Sequence, residues 1–257
     1  MLPMATSDVV VIIPAHNESA TVANVVRAVR AEGFPVVVVD DGSTDATGEL
    51  AEQAGATVLR LVVNLGVGGA LRCGFRYAVE NGYRVAIQCD ADGQHDPANI
   101  HALLDAMSKE HADLVVGNRF AGGDAMEISR SRRFAMRVLA RAAKRANGEP
   151  IEDATSGFRA IASPLLGEFA REYPTQYLGD TFEALVASAR AGYRVVSVPT
   201  TIHARQGGVR SATTPASLAF LARALLVVKL RIGIRFRSAV QAEAEAEGGA
   251  KGRSTGD

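Results

Sequence analysis

The chain has 257 residues, of which 47% are hydrophobic and 22% are charged. This composition is typical of a globular protein with a sizeable core, and the length allows one large domain or two small ones. Its 28 basic and 28 acidic residues give a formal net charge of zero. That balance excludes the strong overall field with which many proteins attract nucleic acid, so we expect no nucleic-acid partner.

The sequence carries no secretory or membrane-spanning signal that we recognise. The N-terminus lacks a basic segment leading into an apolar stretch, and no uncharged apolar run reaches eighteen residues. Cys73 and Cys89 lie in apolar surroundings without metal-ligand spacing, which predicts reduced, buried thiols. We therefore expect a cytoplasmic protein.

Strand-like and helix-like patterns alternate through the first half of the chain. Short apolar, mostly β-branched runs predict strands at residues 9–13, 36–39, 57–62, 85–89 and 113–116. Between them lie helical patterns, including one capped by Ser19 or Thr21, one from 66 to 79 and one opened by Pro97. Repeated units of this kind predict an α/β fold with a mainly parallel central sheet and helices on both faces.

Polar clusters follow the first, second and fourth predicted strands, at the sheet edge where ligands of such folds bind. After the fourth strand come Asp90 and Asp92, which an extended strand would point to the same face. Two carboxylates so placed suit a hard cation such as Mg²⁺ or Mn²⁺, which usually brings a diphosphate. The alternative is a plain turn, since Asp and Gly are common turn residues. The convergence of polar clusters favours the cation site.

The second half of the chain is more basic and less regular. Residues 129–146 hold seven basic side chains, which indicate either a solvated helix face or a clamp for an anion: Arg130, Arg132, Arg133, Arg137, Arg141, Lys144 and Arg145. Further on, the pattern predicts a helix from a Ser163-Pro164 start, a helix at 180–191, a strand at 193–198 and a mobile loop at 203–214.

An apolar stretch at 215–236, interrupted by Arg and Lys, predicts a C-terminal amphipathic helix. Packing against the domain and lying in a membrane interface both explain it, and the absence of acidic residues from 203 to 237 favours an anionic membrane surface. The Ala/Glu-rich and Gly-rich remainder is expected to be disordered. We divide the chain into a domain at 1–212, the helix at 213–238 and a tail at 239–257.

Five motifs, in order and spacing, resemble the family 2 glycosyltransferases, especially the branch of dolichol-phosphate-mannose synthases and bacterial polyprenyl-phosphate glycosyltransferases. They are Pro14-Ala-His-Asn-Glu18, Val39-Asp-Asp-Gly-Ser-Thr-Asp45, Asn64-Leu-Gly-Val-Gly-Gly-Ala-Leu71, Asp90-Ala-Asp-Gly-Gln-His-Asp-Pro97 and Gly117-Asn-Arg-Phe120. Asp153-Ala-Thr-Ser-Gly-Phe-Arg159 and Arg205-Gln-Gly-Gly-Val-Arg-Ser211 extend the resemblance to residues 8–212. The resemblance implies the GT-A fold and inverting glycosyl transfer.

The resemblance also implies roles for individual residues. The nucleotide pocket would be lined by Pro14, Ala15, His16 and Glu18, and Asp41 would accept hydrogen bonds from the base. Asp90, Asp92 and Gln94 would hold the cation, with Ala91 between them at the donor site. Arg119, with Arg132 or Arg133, would bind an acceptor phosphate. Arg205 and Ser211 stand where the family has a loop that closes on the donor diphosphate, although an extra Gly and an Arg alter the usual spacing there.

The acceptor decides whether catalysis needs a base. A phosphate oxygen is already anionic and attacks unaided, whereas a sugar hydroxyl needs a carboxylate base. Asp153 is the candidate base, with Asp180 or Glu183 behind it; the alternative is that Asp153 only caps the turn before Ser156.

A dinucleotide-binding oxidoreductase is excluded because no Gly-x-Gly-x-x-Gly follows the first strand. We expect a metal-dependent transferase that moves a sugar from a UDP- or GDP-sugar to polyprenyl phosphate. It would work in the cytoplasm or at the inner face of the cell membrane, against the lipid surface or a membrane-protein partner. A hydroxyl acceptor and a non-catalytic nucleotide-sugar-binding protein remain the alternatives.

Overall fold

The computed structural model describes residues 6–119, 140–141, 144, 148, 151, 153–175, 180–203, 234–242 and 245. Most of the basic segment at 129–146 and of the predicted helix at 213–238 therefore lies outside the described residues. Within those ranges, the chain forms a mixed α/β fold around one seven-stranded sheet. No described helix combines the length and the apolar character needed to cross a membrane.

The sheet contains all six strands that the sequence predicts and one more. Its members are β1 (Val9–Ala15), β2 (Val36–Asp40), β3 (Thr57–Arg60), β4 (Val85–Gln88), β5 (Leu114–Asn118), β6 (Arg159–Ala162) and β7 (Val195–Pro199). The spatial order is β3-β2-β1-β4-β6-β5-β7. Strands β3, β2, β1 and β4 run parallel to one another and β5 runs parallel to β7, so the mainly parallel sheet is confirmed.

Strand β6 was missed in the sequence. It runs antiparallel to both neighbours, β4 and β5, and all four of its residues are buried. A segment of four residues that begins with Arg159 is too short to show the alternation of apolar and polar residues that predicts a strand. It is a strand because both of its edges pair with other strands. Its insertion also interrupts the simple succession of parallel β-α units that the sequence predicts.

Among the described residues, the helices below cover the sheet. They are α1 (Val22–Ala31), α2 (Thr47–Gln53), α3 (Val67–Glu80), α4 (Asn99–Glu110), α5 (Leu165–Glu172) and α6 (Asp180–Arg190). Alternate residues of β1 enter two different cores: Val9 and Val11 pack in one, and Val10 and Ile12 pack in the other. Both faces of the sheet are therefore covered, as predicted.

The C-terminal segment departs from the predicted division at 213–238 and 239–257. Residues 234–238 are not helical, whereas 239–242 are. Two buried carboxylates accept hydrogen bonds from backbone N–H groups of this segment. Glu183 accepts from the N–H of Ile234 at 3.1 Å, and Glu168 accepts from the N–H of Arg237 at 2.9 Å. In a continuous helix these N–H groups would instead bond to backbone carbonyl oxygens. Phe236 packs on Phe169 with ring centroids 5.5 Å apart. The N–H of Ala239 donates to Ala191 O at 3.0 Å and Ala242 is buried in the core, so the first residues of the expected tail pack on the domain. The prediction for residues 246–257 stays untested.

Candidate active site

The loops that follow β1 and β2 interlock at the carboxyl edge of the sheet. The backbone N–H of Asn17 donates to Ser43 Oγ at 3.0 Å, and the N–H of Thr44 donates back to Asn17 Oδ1 at 2.9 Å. Asn17 adopts a φ of 56°, a left-handed conformation that Asn tolerates better than most residues. The N–H of Glu18 also donates to Thr47 Oγ1 at 2.8 Å. These bonds fix the wall that the resemblance assigns to the nucleotide.

Asp41 lies at the centre of that wall. Its backbone N–H donates to Ala15 O at 2.8 Å, its carbonyl oxygen lies 2.9 Å from His16 Nδ1, and its buried carboxylate accepts from the N–H of Leu65 at 2.7 Å. Asp41 therefore does not act as the cap of α2, whose N-cap residue is Ala46. It ties the loop before α3 to the ends of β1 and β2, and this brings Pro14, Ala15 and His16 to one place.

The second cluster follows β4, and here one detail of the sequence reasoning was wrong. Strand β4 ends at Gln88, so Asp90 and Asp92 lie in the loop beyond it rather than on one face of a strand. The N–H of Gln94 donates to Asp92 Oδ1 at 3.0 Å, which is the hydrogen bond of an Asx-turn. The turn and the carboxylate pair, which we treated as alternatives, occur together.

Asp90 is held from two sides. On one side, His95 Nε2 lies 3.2 Å from Asp90 Oδ2. On the other, the Cα of Gly157 is so close that an added Cβ would lie 2.9 Å and 3.0 Å from the two carboxylate oxygens. The Asp90 side chain is nevertheless 40% exposed, whereas Asp92 is buried. Asp90 thus presents a fixed carboxylate to the solvent side of the loop.

This donor set fits a hard cation that takes its other ligands from substrate and water. Mg²⁺ and similar ions are commonly held by one or two carboxylates together with substrate phosphates. The described part of the chain contains no group of three or more His, Cys, Asp or Glu side chains that could hold a metal by themselves. Burial, with the charges of Asp90 and Asp92, raises the pKa of the Cys89 thiol, so Cys89 does not supply a thiolate.

Arg119 and Asp153 form a buried ion pair beside this loop. Arg119 Nε donates to Asp153 Oδ2 at 2.6 Å and Nη2 donates to Oδ1 at 2.8 Å. The backbone N–H of Arg119 and the hydroxyl of Thr155 donate to the same carboxylate at 3.2 Å and 3.3 Å. Burial alone would lower the pKa of Arg119, but the Asp153 hydrogen bond and charge, with the charges of Asp90 and Asp92, raise it. The guanidinium therefore carries its charge within electrostatic reach of Asp90 and Asp92.

Arg159 is a site-building residue that the sequence reasoning did not single out. Its side chain is fully buried and donates to three carbonyl oxygens: Ser156 O at 2.7 Å, Ala154 O at 3.0 Å and Thr181 O at 2.7 Å. These bonds tie the turn at 153–158 to the start of α6. The signal in the sequence was an arginine at the head of the short apolar run Ala160-Ile-Ala162.

Several predicted site residues lie outside the described residues, and their roles stay predictions: Arg130, Arg132, Arg133, Arg137, Arg205 and Ser211. Among the described ones, Gln94 is hydrogen-bonded through its backbone, since its carbonyl oxygen accepts a hydrogen bond from the N–H of His203 at 2.8 Å. Glu183, the reserve base, accepts from the amide of Ile234. Asp180 begins α6, and its side chain lies outside the described atoms.

Solved structures share this fold. Glucosyl-3-phosphoglycerate synthase from Mycobacterium tuberculosis, crystallised with Mn²⁺, UDP-glucose and phosphoglyceric acid, aligns with a TM-score of 0.65 and 22% identity. The alignment covers 86% of this chain and 79% of the mycobacterial one. The chain therefore has the GT-A fold.

Comparison of sequences shows the family to which the chain belongs. The family model described as Glycosyl transferase family 2 matches residues 10–168, and the chain belongs to that family. It is 33% identical over 210 residues to an undecaprenyl-phosphate mannosyltransferase of Micrococcus luteus, covering 78% of this chain and 85% of that protein. It is 32% identical over 219 residues to a polyprenol monophosphomannose synthase of Mycolicibacterium smegmatis, covering 79% and 80%. The chain is thus an enzyme, a glycosyltransferase with relatives in the polyprenyl-phosphate branch.

Proposed function

We propose that this chain transfers a sugar, with inversion, from a UDP- or GDP-linked donor to polyprenyl phosphate, and that it needs Mg²⁺ or Mn²⁺. The observation that carries the choice of acceptor is the bonding of Asp153. Both of its carboxylate oxygens are fully buried and each accepts two hydrogen bonds, three from Arg119 and one from Thr155. A carboxylate has about four such acceptor positions, so described donors already occupy them.

A general base must be able to receive a proton from the acceptor hydroxyl. Asp153 would have to break its bonds to Arg119 to do so, and Glu183 is engaged with Ile234. A phosphate oxygen is anionic at neutral pH and needs no base. The pairing of Asp153 therefore supports a phosphate acceptor over a hydroxyl, and it supports a positioning role for Asp153 in place of the catalytic one that we predicted.

On the donor side, the wall around Asp41 would receive the nucleoside, as the resemblance implies. Asp90 and Asp92 would hold the cation, which when bound neutralises the charge that develops on the leaving diphosphate. Arg119, oriented by Asp153, places a fixed positive charge beside these carboxylates. Such a charge would attract the acceptor phosphate toward the reacting end of the donor.

The names of the relatives support the same acceptor. One is a mannosyltransferase for undecaprenyl phosphate and another a polyprenol monophosphomannose synthase. A lipid acceptor also requires the enzyme to work at a membrane surface, which we take to be the inner face of the cell membrane. Sedimentation with anionic vesicles measures this directly, and we expect the chain to pellet with them.

The decisive experiment incubates the protein with labelled UDP- and GDP-sugars, with and without polyprenyl phosphate, in the presence of Mn²⁺. We expect label in the organic phase only when the lipid phosphate is present, and only with one of the two nucleotides. The Asp92→Asn variant is the matched control and should give no labelled lipid. Product that stays in the aqueous phase would contradict the lipid acceptor and favour a soluble hydroxyl compound.

A further inference from the structure

We propose that His95 is a positioning residue that orients the Asp90 carboxylate for the cation. This role rests on the cation site of the proposed function, but it does not depend on which acceptor the enzyme uses. No residue role discussed above requires His95, and the resemblance assigns it none. The proposal follows from how the ring is placed and from what it touches.

The ring of His95 is locked in position. Its side chain is only 4% exposed and stacks on Phe158, with centroids 4.9 Å apart and planes 12° from parallel. The backbone is fixed as well, because His95 forms an isolated antiparallel bridge with Ile202 and the neighbouring Gln94 accepts a hydrogen bond from His203. A ring held on its face and through its backbone has little freedom to swing away.

The locked ring aims one nitrogen at the cation site. Nε2 lies 3.2 Å from Asp90 Oδ2, and because a carboxylate accepts hydrogen bonds, Nε2 carries the hydrogen. Nδ1 is buried and makes no hydrogen bond to the described residues. The polar contact of the ring is therefore directed to Asp90, which is the arrangement of an outer residue that orients a metal ligand.

Gly157 completes the arrangement from the other side. Its backbone lies against the same carboxylate, so Asp90 is confined between a hydrogen-bond donor and a close backbone contact. Phe158, the next residue in the chain, is the platform on which His95 stacks. The loop after β4 and the turn before β6 thus both hold Asp90, whose side chain is 40% exposed to solvent.

The test measures Mn²⁺ binding by electron paramagnetic resonance, which counts free Mn²⁺ and needs no turnover. His95→Phe keeps an aromatic ring for the stack with Phe158 but removes the donor. We expect its Mn²⁺ dissociation constant to rise at least about 10-fold, the lower end for loss of an outer hydrogen bond to a metal ligand. We expect kcat at saturating Mn²⁺ to change much less, by about 2- to 3-fold, because the site once filled has the same ligands.

Two further variants separate positioning from general structure. His95→Gln can place an amide donor near the position of Nε2 and should recover most of the affinity. His101→Phe is the matched control, because His101 also pairs with a carboxylate, Glu32 at 3.0 Å, and also packs on a phenylalanine ring, Phe34. It should leave Mn²⁺ affinity unchanged.

Thermal unfolding completes the test. Replacing a buried ring whose Nδ1 makes no hydrogen bond within the described part of the chain by an apolar ring should leave the melting temperature of His95→Phe equal or higher. A Mn²⁺ dissociation constant within 2-fold of the wild type in a folded His95→Phe protein would overturn the proposal. A wild-type protein that binds no Mn²⁺ would instead refute the metal dependence of the proposed function, so the two failures are distinct.

Discussion

The pair formed by Arg119 and Asp153 allows a sharp test of whether Asp153 positions or catalyses. The perturbation is a double-mutant cycle of Arg119→Ala, Asp153→Ala and both together. Asp153 is 0% exposed and the Arg119 side chain only 22%, so solvent screens the pair weakly. Removing one partner of such a pair leaves the other charge uncompensated and costs about 3 to 5 kcal/mol of unfolding free energy.

The double variant should cost much less than the sum of the single ones. Once Arg119 is absent, Asp153 has lost its three hydrogen bonds to that residue, and removing it as well relieves a buried charge. We expect a coupling energy of about 2 kcal/mol or more, within the range measured for residues in direct contact. The chain has no tryptophan, so urea unfolding is best followed by far-ultraviolet circular dichroism. Effects that add to within about 0.5 kcal/mol would refute the reasoning.

Asp153 can also be tested by steady-state kinetics, which do not depend on how stable the variant is as long as it is folded. If Asp153 positions Arg119, Asp153→Asn should raise the KM for polyprenyl phosphate more than it lowers kcat. If Asp153 is a base, kcat should collapse with KM nearly unchanged. Thr155→Val is the matched control, because it removes one hydrogen bond at 3.3 Å from the same carboxylate but keeps the ion pair.

Three more outcomes follow from single contacts. Gly157→Ala would put a methyl group about 3 Å from both Asp90 oxygens, so Mn²⁺ affinity should fall about 10-fold by resonance titration while the fold persists; unchanged affinity would count against the confined carboxylate. Arg159→Leu leaves three carbonyl groups without their donor, and urea unfolding should show a loss of about 3 kcal/mol; a loss below about 1 kcal/mol would contradict it. Burial acts to raise the pKa of Asp45, but hydrogen bonds, chiefly from Thr47, outweigh it and hold the pKa below the usual range of an aspartate. Because the folded pKa is lower than the unfolded one, this stabilisation is present above the unfolded pKa and is lost as pH falls through the folded pKa, so Asp45→Asn should flatten part of the acid decline in melting temperature; an unaltered decline would argue against it.

Much of the architecture follows from local pattern. Strands β1, β2 and β4 were predicted to within a few residues, because continuous β-branched runs bounded by Gly, Asp and Pro define a buried parallel strand wherever they stand. Parallel strands place their carboxyl ends at one edge, so the position of the Asp41 and Asp90 loops at that edge was also predictable. The short strand β6 was not, since four residues carry too little period.

The side-chain pairings depend on the tertiary structure alone. Arg119 and Asp153 are 34 residues apart, and nothing in either motif says that they bind each other. Nor does the sequence reveal that Asp90 is confined between His95 and Gly157, or that Glu183 accepts a hydrogen bond from the backbone N–H of Ile234.

By itself, then, the sequence determined the class of fold, the family and the edge of the sheet that holds the site. Only the tertiary structure decided which carboxylates there face solvent and which are already paired. The physical reason is that secondary structure and turns arise from neighbours in the chain, whereas burial and hydrogen bonding of a carboxylate arise from segments brought together by packing. A carboxylate at one edge of a sheet can serve as base, cation ligand or ion-pair partner, and its partners in space choose among these roles.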